Sequence, residues 1–205
     1  MDTNLINVIT SNLKSPEEIL EIGTGRGSFT KLLSTCFPES GITSIDKNEK
    51  FRNRVPDFRR VKNCTYRICD LDCIDFLFDL VALGSEKQTL WQHFNWFTEN
   101  QFMEILIKIK KNMRPEGKIL IVTKKMKWKT DEQKLYCDSL LKHADPKARN
   151  MIEKTLEIDK YVSGQLKKVG FSKINNIEVC ITDRIETDKQ IYASTGFLSV
   201  LTGTN

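Results

Sequence analysis

The chain is short of almost everything that marks a metal centre or a disulfide scaffold. Its 205 residues include only two histidines, His93 and His143, and six cysteines (Cys36, Cys64, Cys69, Cys73, Cys137 and Cys180) that form no C-x-x-C pair. Structural zinc needs thiolate and imidazole ligands at short, paired spacings, so no metal is expected and the thiols read as free rather than bridged. Long apolar runs are missing as well: nothing approaches the roughly 20 residues that cross a bilayer. The opening Met1-Asp2-Thr3-Asn4 lacks the basic start of a secretory signal. These absences together predict a cytoplasmic protein without a membrane association. Internal repeats and low-complexity tracts are absent too, which excludes solenoids and fibrous assemblies.

What the chain has is an ordinary globular mixture, 40% hydrophobic and 29% charged, in a length that suits a single domain over residues 1–205. The net charge of +5 is local. Between Lys108 and Lys129 stand nine basic residues and one acid, Glu116, which leaves the rest of the chain slightly acidic.

Apolar and punctuating residues alternate in a regular way. A short amphipathic segment, Leu5 to Ile9, precedes a strand at Ile19-Leu20-Glu21-Ile22. A helix carrying Phe29, Leu32, Leu33 and Cys36 on one face follows, and Pro38 with Gly41 closes it before a second strand at Ile42 to Asp46. Further strands are expected at Thr65 to Cys69, Phe78 to Leu83 and Lys118 to Val122, with helices near Glu49 to Arg54, from Asp72, and from Glu99 to Met113. Helical pattern runs from Asp131 to Val169, a strand from Ile174 to Ile181, and a last amphipathic segment from Ile191 to Leu201. Strand, helix, strand in repetition predicts a doubly wound, mostly parallel α/β sheet with helices on both faces. Its ligand crevice should lie at the carboxyl ends of the first strands.

The turn after the first strand is the most informative stretch. Glu21-Ile22-Gly23-Thr24-Gly25-Arg26-Gly27 sits between strand and helix, where glycine lets the backbone turn sharply and leaves no Cβ between main chain and ligand. A dinucleotide fingerprint would carry its third glycine at position 28; here that residue is Ser28, and the glycine comes one place early. Glu21, two positions before the first glycine, would repel a pyrophosphate and attract a cation. Asp46 ends the second strand, where a carboxylate can accept both hydroxyls of a ribose, and Asp70 follows the third. The competing role for either Asp is the N-cap of the next helical turn.

On these residues the chain resembles the class I S-adenosylmethionine-dependent methyltransferases, whose first motif is an acid-x-Gly-x-Gly-x-Gly turn. The resemblance implies a Rossmann-like methyltransferase sheet and S-adenosyl-L-methionine as cofactor. The site residues it implies are Glu21, Gly23, Thr24, Gly25, Gly27, Asp46, Lys47, Asp70 and Leu71. Arg114-Pro115-Glu116-Gly117 resembles the family's turn into the fifth strand, and Phe94-Asn95-Trp96-Phe97-Thr98 resembles an aromatic segment of the type 11 subset, with Asn95 where that subset carries His. Thr187 to Leu201 resembles the terminal helix of the same subset.

Methyl transfer from a sulfonium is an in-line displacement that needs alignment more than acid–base chemistry. Among candidate bases Glu86, His93 and Tyr192, His93 is the choice for a catalytic role, and Trp96 and Tyr192 for contact with the substrate. Strand four ends in Ala82-Leu83-Gly84-Ser85 without the Asn/Asp-Pro-Pro-aromatic loop of amino-group nucleobase methyltransferases. It also has no closing Asp to work with Lys124 or Lys125 as ribose methylation requires. A small-molecule acceptor, methylated on N or O, is therefore the first expectation. The alternatives are an RNA or protein methyltransferase using the basic loop 124–129, or a non-catalytic cofactor-binding subunit. Cover for the acceptor pocket is expected from a helical insertion at 125–165 or from a partner subunit.

Overall fold

The structure, a computed structural model, describes residues 3–49, 61–84, 99–125, 157–187 and 190–205, with six single residues between 131 and 143. Side chains are described throughout these except at 99, 124–125 and 180–199. The expected helix near Glu49 to Arg54, apart from Glu49 itself, and most of the expected 125–165 insertion lie outside these residues; Asp131, Leu135, Asp138, Ser139, Lys142 and His143 are helical.

Seven strands form one sheet in the order β3-β2-β1-β4-β5-β7-β6. They are β1 (Glu18–Ile22), β2 (Gly41–Asp46), β3 (Cys64–Ile68), β4 (Phe78–Gly84), β5 (Met113–Lys125), β6 (Ser172–Thr187) and β7 (Gln190–Thr204). The first five run parallel, while β7 is antiparallel to both β5 and β6. The helices are α1 (Thr3–Asn12), α2 (Ser28–Cys36), α3 (Glu99–Lys111) and α4 (Ile158–Val169).

Alternation along each strand sends neighbouring residues to opposite faces, and both faces are covered. Leu20, Val81, Ile119 and Ile121 pack under α3 and α4 with Phe102, Leu106, Val162 and Leu166. Ile19, Leu80, Leu120 and Val122 pack under α1 and α2 with Leu5, Ile9, Phe29 and Leu33. This is the doubly wound architecture that the alternating pattern predicts.

The end of the chain departs from expectation: 190–204 is a strand, not a helix. Val200 is buried with the α1–α2 side and Leu201 with the α3–α4 side. A strand covered on both faces reads as a continuous apolar run, which periodicity cannot separate from a buried helix. The β-branched and aromatic residues Ile191, Tyr192, Thr195, Phe197, Val200 and Thr202 were the signal for a strand.

Arg114 to Gly117 departs in a smaller way. Rather than standing ahead of β5, these residues form an irregularity within it: Phe78 pairs with Met113 and Leu80 with Lys118. Glu116 takes φ 61, and a Cβ on Gly117 would lie 2.8 Å from the Arg114 carbonyl oxygen. The motif thus acts as a tight bulge, which needs glycine at 117.

At the same edge Asp79 ties three strands together. Its Oδ2 accepts the backbone N–H groups of Glu17 (3.1 Å) and Glu18 (2.9 Å) before β1, and its Oδ1 accepts Arg114 Nη1 (2.9 Å) from β5. Partial burial opposes ionisation, but the Glu18 amide, Arg114 and the Glu17 amide outweigh it and hold the carboxyl below its ordinary range. A lowered value stabilises the fold above the unfolded-state value and loses that contribution as pH falls through the folded one. Asp79→Ala should therefore cost about 1–3 kcal/mol at pH 7, and the difference should shrink below about pH 4. Urea unfolding at the two pH values measures this; equal losses at both would contradict it.

Candidate cofactor site

Strand order reverses at β1: the chain moves outward through β2 and β3, then crosses back to β4 on the other side. Ligands in open α/β sheets bind at this switch point, outside the carboxyl ends of the strands. The glycine turn leaves β1 there. Gly23 and Thr24 donate their N–H groups to the Ile45 carbonyl of β2, at 2.9 and 3.2 Å, and Gly27 N–H closes the turn on Thr24 O at 2.8 Å. Gly23, Gly25 and Gly27 all have positive φ, at 83°, 52° and 79°.

Gly25 shows what the turn is shaped for. Its φ disfavours any L side chain, yet among the described residues a Cβ built there meets nothing within 4 Å. The missing side chain therefore leaves an open surface over the backbone. Beside it, Asp46 accepts the Gly25 N–H on Oδ2 (2.8 Å) and the Asn48 N–H on Oδ1 (2.9 Å). Each carboxylate oxygen has two lone pairs, so both retain capacity for a pair of hydroxyls. Lys47 is exposed next to it. Gly27 precedes α2 as an N-cap with no side-chain hydrogen bond, so the helix presents uncapped amides to the same turn.

Glu21 is wholly buried below the turn. Its Oε2 accepts Thr30 Oγ1 from α2 (2.5 Å) and Ser44 Oγ from β2 (2.6 Å), while Oε1 has no partner among the described residues. Burial pushes the carboxyl up to about 7 against the opposing Ser44 and Thr30 hydrogen bonds, and the nearby Asp46 charge adds to the rise. Thr24, also buried, shares a hydrogen bond with Ser44. Thr30 and Ser44 were missed by sequence reasoning. Ser44 is the direct register partner of Glu21, a pairing that only the aligned strands reveal.

Asp70 takes up the competing role as well. It caps the 3-10 turn Leu71–Cys73, its Oδ1 accepting the Leu71 N–H at 2.6 Å. The Leu71 amide is thereby engaged and its side chain is buried. Asp72 pairs instead with Lys108 (2.6 Å).

On the acceptor side, His93 and Trp96 lie outside the described residues. Tyr192 stands in β7, paired with Ile185 of β6. β7 pairs with β5 only from Phe197 to Thr204, so residues 190–196 run past the carboxyl end of β5, the ligand end of the sheet. Thr123, near that end of β5, has a buried hydroxyl without a partner among the described residues; a polar residue closing the apolar run Ile119 to Val122 was its only sequence signal.

Much of the basic stretch serves the fold. Lys108 pairs with Asp72, Lys110 donates to the Val169 and Gly170 carbonyls at the end of α4, Arg114 binds Asp79, and Lys118 donates to Thr204 Oγ1. Lys127 and Lys129 lie outside the described residues.

The precorrin-6y C5,15-methyltransferase of Geobacter metallireducens matches all of this chain and 90% of its own at a TM-score of 0.61, with 14% identity. The chain has the Rossmann-like methyltransferase fold. Human N-acetylserotonin methyltransferase, solved in complex with SAM, is similar at a TM-score of 0.59 and 14% identity over 97% of this chain and 51% of its own. Among curated proteins, a malonyl-[acyl-carrier protein] O-methyltransferase of Priestia megaterium is 30% identical over 130 residues, 60% of this chain and 43% of that protein. The chain thus spans less than half the length of the curated relatives it matches. No protein-family model matches it. No described helix is long and apolar enough to cross a membrane.

The site suits the cofactor that the glycine turn predicts. An open glycine surface admits a flat nucleoside, and Asp46 has capacity for its sugar hydroxyls.

Proposed function

We propose that the chain is an S-adenosylmethionine-dependent methyltransferase that passes a methyl group to a nitrogen or oxygen of a small-molecule acceptor. The observation that carries this reading is the open surface at Gly25 beside Asp46, at the point where strand order reverses. Gly23, Thr24, Gly25 and Gly27 would form the floor, and Asp46 would hold the ribose with Lys47 beside it. Asp70 and Leu71 would border the base. The uncapped amides of α2 suit the carboxylate of the methionine moiety. The bound cofactor supplies the activated methyl on its sulfonium.

Tyr192, on the strand segment beyond β5, and Trp96, within the type 11-like aromatic segment, would line the acceptor side, with 125–165 as cover. Names of the curated relatives put carboxylates first among acceptors. A carboxylate oxygen is already ionised at neutral pH, so attack on the methyl would need no base, and His93 would matter only for an amine or hydroxyl acceptor.

The test is methyl transfer from labelled S-adenosylmethionine to a panel of carboxylic acids, amines, alcohols, RNA and proteins, with cofactor binding followed by calorimetry. Binding together with transfer to a small acid, amine or alcohol is the expected result. Transfer to RNA or protein alone would replace the small acceptor, and absence of cofactor binding would remove the reading altogether.

A further inference from the structure

The end of the sheet where the parallel strands begin carries a charge that the cofactor site does not use. Both α3 and α4 finish there. Lys110 Nζ reaches from the last turn of α3 to the carbonyls of Val169 (3.2 Å) and Gly170 (2.8 Å) at the end of α4, and it lies over the Phe171 ring. That contact joins two segments without acids: residues 105–115 and 161–177 hold seven basic residues and no Asp or Glu. Three of the seven serve the fold, Lys108 on Asp72, Lys110 on the two carbonyls and Arg114 on Asp79. The other four, Lys111, Lys167, Lys168 and Lys173, are exposed, and each stands within three residues of Lys110 or Gly170. Among the described residues Lys111, Lys167 and Lys173 form no ion pair. A basic residue in a last turn steadies the helix end, but that effect fades within the turn, and Lys110 already satisfies the end of α4. Lys173 lies beyond both helices, at the irregular start of β6, with a φ of 47° that is costly for any residue but glycine.

We propose that these four lysines form a docking surface for the phosphate backbone of a nucleic acid, held by charge and without reading of sequence. Lysine presents a hydrated point charge that suits phosphate oxygens. Ser172 and Asn175, exposed among the lysines, are of the other types that contact a backbone. The core of a protein interface is instead poor in lysine and built on aromatic, methionine and arginine anchors. Here the aromatic residues of the two segments, Tyr161 and Phe171, are half-buried and buried, and Ile107 is the one large apolar residue exposed on α3 and α4 among the described residues. Without an exposed ring for a base to stack on, attraction to the backbone is what remains. The lysines lie at the opposite end of the strands from the glycine turn, roughly 20 Å away for strands of this length. Nucleic acid bound there tethers the protein without entering the crevice, so the inference does not depend on the cofactor reading.

The experiment is fluorescence anisotropy of the whole chain with a labelled single-stranded RNA of about 20 nucleotides, between about 50 and 200 mM salt. Four phosphate contacts make log K fall with log salt at a slope of about −3. The expected result is binding with that slope, equal for RNAs of different sequence. A chain carrying Lys111→Glu, Lys167→Glu and Lys173→Glu should bind at least about tenfold more weakly, with the slope cut to about −1 and the circular dichroism of the folded parent. Should the triple variant fail to fold, the three single reversals read the same loss in smaller steps. Lys127→Glu with Lys129→Glu, in the basic loop, should bind RNA as the parent does. No RNA binding at the lowest salt would overturn the proposal, and so would a loss of binding in the loop variant alone. Binding to poly-glutamate or to phosphatidylserine vesicles but not to RNA would overturn the nucleic-acid assignment in favour of an acidic protein or a lipid surface.

Discussion

Gly25→Arg should abolish S-adenosylmethionine binding, by at least about 100-fold in Kd, or roughly 2.7 kcal/mol, while the chain still folds. Two observations separate these effects. A Cβ at position 25 meets no atom of the described residues within 4 Å, so these leave room for a side chain. The backbone φ of 52° costs an L residue about 1–2 kcal/mol, which for a domain of this size lowers the melting temperature by roughly 2–8 °C. On the proposed binding mode, the space that a side chain can enter is the space the ligand would occupy. Gly25→Ala pays the same backbone cost with far less volume and should keep part of the affinity. Calorimetric titration and thermal melts of the two variants decide the matter. An arginine variant that binds as tightly as the parent would place the ligand somewhere other than on this turn.

The second large effect is on stability. In the absence of ligand, Glu21→Gln should stabilise the chain at alkaline pH relative to the parent. The folded-state value of about 7 lies above the ordinary carboxylate value of 4.5. A group raised in this way contributes fully below the unfolded value, and that contribution is lost as pH rises from there through 7. By pH 8.5 the parent carries a buried charge that glutamine avoids, a difference on the order of 3 kcal/mol relative to pH 4. Thr30 and Ser44 can donate to the glutamine carbonyl oxygen as they do to Oε2, so the variant keeps their hydrogen bonds. Urea unfolding at pH 4 and pH 8.5 measures the change. Parallel pH dependence in both chains would show that Glu21 titrates alike in the folded and unfolded states, contrary to this expectation.

The front half of the sheet was readable because its signals are local. β1, the glycine turn, α2 and β2 follow one another with short connections, and each is marked by its own apolar spacing and by glycine where φ must be positive. Asp46 stood out because it closes a strand at the ligand end. The back of the sheet was harder for two reasons. β7 inserts between β5 and β6, and its described side chains are buried on both faces, Val200 on one and Leu201 on the other, so this part lacks the alternation by which a half-exposed strand declares itself. Asp79 looked like one more strand residue, and its use as a three-strand tie depends on Glu17 and Arg114, which are 62 and 35 residues away.

Sequence by itself determined the alternating strands and helices, the glycine turn and the carboxylates at positions 21, 46 and 70, because backbone conformation and the spacing of apolar side chains are set by neighbours in the chain. Tertiary structure decided what those carboxylates do. Asp70 became a cap, Asp46 braced the glycine turn, and Glu21 was sealed beneath it with Thr30, Ser44 and one oxygen left over. Whether a carboxyl keeps its proton depends on the solvent it loses and the partners it gains, and both are fixed only when strands distant in the chain come into register.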